Sequence, residues 1–334
     1  MAITGLVTGL DNRRSPNQID LAIVVVNYHC AAEVKRLLES LGRSLSFCEE
    51  LNSALDLQVW IVDNSPGDQS LVPVLENQEI ATKLIQSPRN IGFGRACNLA
   101  ISKLWILEST PWIWLLNPDA TVEKQTLKNF VAAISEKDNN WAIAGTTVCT
   151  ATGKTEFCGG YWNPKNGEIY PATTLRSAKN YLPTSWVSGC SLIFNPGKFD
   201  GEMPQFDPDF FLYYEDFELC LRYGKKQRSP ENPHPIVLLS PITITHHTSA
   251  ITARTPEKKI AWSIEGYLLA LEKCAPWWVW LGRLGRIGLA AVGGRICGRS
   301  GKWMGFIRYL QRYFERHLQR SFGRHLQRHF GGEI

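Results

Sequence analysis

Apolar and polar positions alternate in two distinct rhythms along the first 150 residues. Residues 20–26 form an unbroken β-branched run, the pattern of a strand buried on both faces of a parallel sheet. Residues 31–47 then space Val34, Leu37, Leu38, Leu41 and Leu45 at helical intervals. A second strand over 57–62 ends on Asp63-Asn64-Ser65-Pro66-Gly67, which is turn chemistry. A short strand at 83–86, a helix at 95–107, a strand at 112–116, a helix at 122–134 and a strand at 141–148 complete the series. The alternation predicts βαβ units, and so an α/β chain with a Rossmann-like half over 19–150.

Residues 151–275 are less regular, with turns at Gly159-Gly160, Asn163-Pro164 and Asn166-Gly167. Residues 186–194 read as a strand interrupted at Gly189, where backbone or ligand comes close. Residues 217–223 open a helix behind Glu215-Asp216, and the alternation over 241–246 ends on His246 and His247. Beyond Pro276 the pattern changes again. Trp277-Trp278-Val279-Trp280 opens a segment in which Arg283, Arg286 and Arg295 leave no uncharged stretch long enough to cross a bilayer. From 308 onward, Leu310, Phe314, Leu318, Phe322, Leu326 and Phe330 recur every four residues. Arg308, Arg312, Arg316, Arg320, Arg324 and Arg328 do the same, offset by two. On a helix those stripes lie on opposite faces, and a period of four drifts by ~40° per step, so both wind around the axis. Residues 315–322 are nearly repeated at 323–330, with Gly323 a point for a kink. The expected organisation is a loose lead-in over 1–18, a catalytic-size domain over 19–275 and a basic amphipathic helical tail over 276–334.

Composition narrows the function classes. With 334 residues and 44% hydrophobic content the chain buries a full core, which excludes disorder as the default. The net charge of +5 conceals a body at −4 and a tail at +9. That split predicts an anionic partner for the tail, with a membrane surface favoured over a helix docked on the body with its Arg face solvated. Nucleic acid is not expected, since no matching module appears. Nine scattered cysteines without a Cys-x-x-Cys pair support neither a disulfide framework nor a zinc knuckle. The first eighteen residues contain no apolar core of a signal peptide. A cytoplasmic protein, peripheral on the inner face of the plasma membrane, is the expectation.

Candidate chemistry gathers at three places. Asp119 follows the apolar run Trp112-Ile113-Trp114-Leu115-Leu116, which puts a carboxylate at the carboxyl edge of a strand, where open α/β sheets bind ligands. Its bland alternative is a cap on the next helix. Glu215-Asp216 stands beside Phe210, Phe211, Tyr213 and Tyr214. Burial and like charge raise a carboxylate's pKa and make it a better base, while a helix N-terminal pair is the bland reading. His246 is placed to complete a metal site with Asp119, and His247 is one register step away.

Seven collinear segments over about 20–250 carry a family resemblance. They are Val24-Val25-Val26-Asn27-Tyr28, Val62-Asp63-Asn64-Ser65, Asn90-Ile91-Gly92-Phe93-Gly94-Arg95-Ala96-Cys97-Asn98, Leu116-Asn117-Pro118-Asp119, Trp186-Val187-Ser188-Gly189, Phe210 to Asp216, and His246. The chain resembles the inverting, nucleotide-sugar-dependent glycosyltransferases of the GT-A fold, family 2, especially the rhamnosyltransferase-like branch. The resemblance implies a mixed central sheet and a nucleotide-sugar site made by Asn27, Tyr28, Asp63, Asn90, Gly92, Gly94, Arg95, Asn98, Asn117 and Asp119. Gly92 and Gly94 would let backbone approach the nucleotide, and Arg95 would face phosphate. It also implies an acceptor site at Trp186, Ser188, Gly189 and Tyr214, and Mg²⁺ or Mn²⁺ on Asp119 and His246. Asp216 would be the catalytic base, with Glu215 orienting it or the acceptor. The expected reaction is inverting transfer of a sugar, best matched by L-rhamnose from a dTDP-sugar, to a cell-surface glycan or lipid-linked acceptor. Asn117 replaces the first carboxylate of the family's Asp-x-Asp motif. That departure leaves open a catalytically silent nucleotide-sugar-binding or scaffold protein, and a UDP-hexose donor is the same-chemistry alternative.

Overall fold

The computed structural model describes residues 20–330, apart from 52–54, 77, 108, 137–139, 176, 178, 231, 248–255 and 299, with side chains described as far as 318. The lead-in over 1–18 lies outside the described residues. The first half runs β1 (Leu21–Asn27), α1 (Ala31–Glu50), β2 (Leu57–Asp63), α2 (Val72–Leu75), β3 (Ala81–Gln86), α3 (Phe93–Trp105), β4 (Trp112–Leu116), β5 (Ala120–Val122), α4 (Thr126–Ile134) and β6 (Ile143–Thr150). Strands β3-β2-β1-β4 are parallel neighbours. Alternate residues of β1 serve opposite layers: Leu21, Ile23 and Val25 pack with Val34, Leu37 and Leu41 of α1, and Ala22, Val24 and Val26 with Ala96, Ala100 and Leu104 of α3. Burial on both faces is why this strand reads as a continuous apolar run.

The second half supplies β7 (Thr155–Phe157), β8 (Gly160–Asn163), β9 (Glu168–Pro171), β10 (Tyr181–Pro183), β11 (Ser191–Phe194), α5 (Glu215–Lys226) and β12 (Ile236–His246). It extends the sheet to ten strands along the path β10-β12-β6-β11-β4-β1-β2-β3, with β5 on β12 and β7 on β6. Strand β11 is antiparallel to both β4 and β6, which makes the sheet mixed. Two expected elements begin late. The strand expected at 186–194 is confined to Ser191–Phe194, because Trp186 instead bridges to Gly160 of the separate β8–β9 hairpin. The helix expected at 122–134 starts at Thr126, because residues 120–122 pair with β12. Asp119 is therefore not that helix's cap.

Three further helices follow: α6 (Pro256–Cys274), α7 (Trp277–Ile296) and α8 (Ser300–Phe330). Helix α6 places Leu268, Leu269 and Ala270 against Phe210 and Phe217, and α8 adds Tyr309 to the same cluster. The first three arginines of the α8 stripe are taken up by protein. Arg308 and Arg312 pair with the buried Glu265 of α6 (3.4 and 2.7 Å), and Arg316 pairs with Glu272 (2.6 Å). These three arginines pair with protein carboxylates because α6 offers acids at matching helical intervals, while Arg308 and Arg312 stay partly open to solvent. Leu310 is packed inward while Phe314 and Leu318 are exposed, so the apolar stripe winds around the axis. The helix is continuous through Gly323, and the side chains of Arg320, Phe322, Arg324, Leu326, Arg328 and Phe330 lie outside the described residues. Among the described residues no helix is long and apolar enough to cross a membrane.

Candidate active site

At the carboxyl ends of β1 and β2, Asn27 and Asp63 are register partners. The Asn27 amide donates to Asp63 Oδ1 (2.9 Å), and its oxygen accepts from the Cys30 amide (3.1 Å), so a buried Asn27 braces Asp63 from behind. Asp63 Oδ1 also accepts from the Ser65 amide (3.1 Å), closing an Asx turn. The residue borders a recess with Ser65, Asp68, Gln86 and Ser87. Beside it Asn64 donates to Asn90 Oδ1 (3.0 Å) and accepts from the Ile91 amide (3.1 Å).

The glycine-bearing segment is spent largely on protein. Gly92 has φ +87°, and a Cβ there would stand 2.3 Å from the Phe211 carbonyl oxygen; one at Gly94 would meet Phe206 at 2.7 Å. Asn98 exchanges two hydrogen bonds with the Phe206 backbone (2.8 and 2.9 Å), and Arg95 Nε donates to the Pro208 carbonyl (2.6 Å). Gly92 and Gly94 make a close approach to the 206–211 segment, and Arg95 hydrogen-bonds that segment's backbone through Nε. The physical reason is that 206–211 leads into the acidic pair without regular structure of its own and takes its anchorage from α3.

Asp119 and His246 are brought together by strand register. Ala120 of β5 opposes His246 of β12, and the His247 amide donates to the Asp119 carbonyl (2.8 Å). Asp119 Oδ1 then lies 3.3 Å from His246 Nε2, while His246 Nδ1 lies 3.1 Å from Glu156. The hydrogen bond to Asp119, reinforced by both carboxylate charges and opposed by burial, raises the His246 pKa to about 9. His247 turns away and meets Thr121 Oγ1 at 2.9 Å.

Glu215 and Asp216 open α5 after two consecutive left-handed residues, Tyr213 (φ 72°) and Tyr214 (φ 68°). Non-glycine residues rarely adopt this conformation, which costs of order 1–3 kcal/mol each and persists only where surrounding packing dictates it. Helix α6 dictates it here. Gly266 leaves room for the Tyr213 carbonyl, Tyr267 packs on Tyr214 at 5.5 Å between ring centroids, and Trp262 packs on Phe211 at 5.6 Å. The Asp216 carboxylate accepts from the amides of Gly189 (2.8 Å) and Phe217 (2.8 Å), which fixes its orientation. Burial raises its pKa against the pull of those amides. Glu215 is more deeply buried; desolvation and the Asp216 charge raise it to about 8. Burial and like charge thus favour the protonated form at both members of the pair.

Two cavities adjoin at Phe93, Asn117, Leu212 and Tyr213. The one of about 480 Å³ holds Tyr28, Asn90, Gly92, Asn117 and Asp119, and adds His29, Asn64, Lys258, Lys259 and Trp262. The other, of about 390 Å³, holds Trp186, Ser188, Gly189, Tyr214, Glu215, Asp216 and His246. The Asp119–His246 contact spans the join. A larger open depression of about 800 Å³ along α1 contains none of these residues. Asn27, Asp63, Gly94, Arg95 and Asn98 line neither of the two central cavities. Sequence reading passed over Lys258 and Lys259, which stand beside Glu257 in the first turn of α6, where two cations outweigh one acid against the helix dipole. Among the described residues no group of three or more His, Cys, Asp or Glu is placed to hold a metal. Asp119 and His246 together supply one oxygen and one nitrogen, which suits a divalent ion that shares its remaining positions with a ligand's oxygens.

Comparison with known proteins agrees with this architecture. Residues 22–187 match the family model described as Glycosyl transferase family 2. The chain is 24% identical over 284 residues to N-acetylglucosaminyl-diphospho-decaprenol L-rhamnosyltransferase of Mycobacterium tuberculosis, in strains CDC 1551 / Oshkosh and ATCC 25618 / H37Rv, covering 77% of this chain and 86% of the relative. Its fold is similar to that of GalNAc-T7 crystallised with UDP, GalNAc and Mn²⁺, at a TM-score of 0.50 and 11% identity, over 77% of this chain and 48% of that one. The chain thus spans about half the length of that solved structure. With its mixed sheet, its helices beyond the sheet and the family match over residues 22–187, the chain carries a glycosyl transferase family 2 domain and has the GT-A fold.

Proposed function

We propose that this enzyme transfers L-rhamnose from a dTDP-sugar to a lipid-linked glycan, with inversion at the anomeric carbon. The observation that carries the reading is the placement of Asp119–His246 at the join of two cavities, with Asp216 beyond it on one side and Lys258 and Lys259 on the other. The rhamnosyl donor and the lipid-linked acceptor are taken from the mycobacterial relative's name. In this reading the larger cavity takes the donor and the smaller one the acceptor.

Asp216 accepts the proton of an acceptor hydroxyl as that oxygen attacks the anomeric carbon. The new carbon–oxygen bond forms as the bond to the diphosphate oxygen breaks, and the nucleoside diphosphate leaves with the electron pair. Its charge meets Lys258 and Lys259. A divalent ion on Asp119 and His246 would add charge neutralisation of the diphosphate. Glu215, held neutral, keeps a second negative charge away from the base. Asp63, braced by Asn27, is assigned to the nucleoside.

The test is thermal stabilisation by a panel of dTDP-, UDP- and GDP-sugars with and without Mn²⁺, followed by mass spectrometry of a prenyl-diphospho-sugar acceptor. A donor at a hundredfold excess over Kd stabilises by ~2.7 kcal/mol. A Mn²⁺-dependent shift with dTDP-rhamnose and a product heavier by one deoxyhexose are the expected results. A shift with UDP-hexoses alone would replace the donor, and donor binding without transfer to any acceptor would favour the scaffold alternative.

A further inference from the structure

We propose that the exposed face of α7 is a contact surface for an anionic lipid bilayer. It deepens the proposed function, resting on it only for the identity of the acceptor. Trp277, Trp278, Leu281, Leu289, Val292 and Ile296 are 46–80% exposed along this one helix. At 100° per residue, positions 278, 281, 285, 289, 292 and 296 fall on a single stripe about 27 Å long. Gly285 is the one member of that series without an apolar side chain. The opposite face is occupied: Val279 and Ala291 are buried, Trp280 donates to the Tyr309 hydroxyl of α8 (2.8 Å), and Gly288 abuts Phe306. A continuous apolar stripe of this size on a surface is an interaction site rather than scattered exposure.

Charge identifies the occupant. The sequence has no Asp or Glu from 276 to 314, and exposed Arg286 and Arg295 lie about 80–100° to either side of the stripe by helical geometry. An apolar face bordered by arginines, with a tryptophan pair at one end, is the design of a helix lying in the plane of a lipid interface. A second copy of the same face would bring like charges together.

Position ties the surface to the site. Arg283 of α7 donates to the Asn166 carbonyl (2.7 Å) and lies 3.7 Å from Glu168, and Val279 sits under Gly167. These residues form the turn of the β8–β9 hairpin. Its returning strand gives Ile169 and Pro171 to the wall of the smaller cavity. One hairpin therefore spans from the lipid-facing helix to the cavity assigned to the acceptor.

The experiment uses the full chain in sedimentation with phosphatidylcholine vesicles, with and without phosphatidylglycerol. A polarity-sensitive dye on Cys297, exposed just beyond α7, reports burial, with C297S as the labelling control. The expected result is binding that requires phosphatidylglycerol, weakens at high salt and shifts the dye emission to the blue. Combined W278S/L281S/L289S/I296S, all at exposed positions, should weaken binding at least tenfold, and R286E/R295E should do the same. Both variants should keep the donor-induced thermal shift. Equal sedimentation with and without phosphatidylglycerol, unchanged binding by the stripe variant, or a wild-type dimer in light scattering that the stripe variant dissolves would each overturn the proposal. Vesicle binding with no sugar transfer to any acceptor would support the lipid surface while removing the glycosyl-transfer reading.

Discussion

A Cβ at Gly266 would stand 2.3 Å from the carbonyl oxygen of Tyr213, so α6 can press on the left-handed Tyr213-Tyr214 turn only because residue 266 is glycine. That turn aims Asp216 at the cavity. Gly266→Ala should force α6 away from the turn, costing about 1–3 kcal/mol as overpacking does, and lower kcat. Gly305 is a control, since a Cβ there would stand 2.4 Å from the Ala261 carbonyl oxygen, at the α6–α8 contact. Gly305→Ala should lower Tm comparably while sparing kcat. Equal kcat in both variants would remove the turn from the mechanism.

Asp216→Asn should retain donor affinity and lose about 10²–10⁴ in turnover, the usual contribution of a general base. Because burial raises its pKa, the acid limb of wild-type turnover should lie above the ordinary carboxylate range. Glu215 gives a separate readout in stability. Its folded pKa of about 8 exceeds its unfolded value, so the fold favours its protonated form. Stability from that proton is complete below the unfolded carboxylate range and is lost as pH rises toward the folded value. The Tm advantage of Glu215→Gln over wild type should therefore grow with pH and level off above about 8. A gap independent of pH would mean that Glu215 is ionised in the fold.

How far the sequence could be read follows from where each determinant lies. Strands β1, β2 and β4 were legible because burial on both faces writes itself as local apolar runs. Asp119 and Asp216 were legible as motifs at element ends, but their surroundings were not. The Asp119–His246 distance depends on the pairing of β5 with β12, which no local pattern encodes. Helix α6 was passed over because Glu265 interrupts its buried face, and the arginines that neutralise it stand more than forty residues away. For the same reason the arginines of α8 read as a face for solvent or lipid.

Metal binding should follow Asp119 and His246, not His247. With Mn²⁺ and dTDP present, Asp119→Ala should abolish the metal-dependent part of the thermal shift, and His246→Gln should weaken it. His247→Gln should leave it intact, since that ring is directed to Thr121. Calorimetric titration of Mn²⁺ into each variant measures the difference. Equal Mn²⁺ affinity in Asp119→Ala and wild type would overturn the assignment.

Arg308 and Arg312 together pair with a carboxylate that is 5% exposed, so at the α6–α8 contact a buried acid is met by two partly solvated cations. Removing both cations leaves Glu265 charged and without compensation, a change that costs about 3–5 kcal/mol in buried pairs. Arg308→Ala/Arg312→Ala should therefore lower Tm sharply, and adding Glu265→Gln should restore most of the loss, because the stranded charge is then gone. Glu265→Gln alone should cost much less than the double arginine variant. Denaturant unfolding of the four proteins closes the cycle. A loss that Glu265→Gln fails to rescue would show that the arginine stems hold α8 by packing rather than by charge.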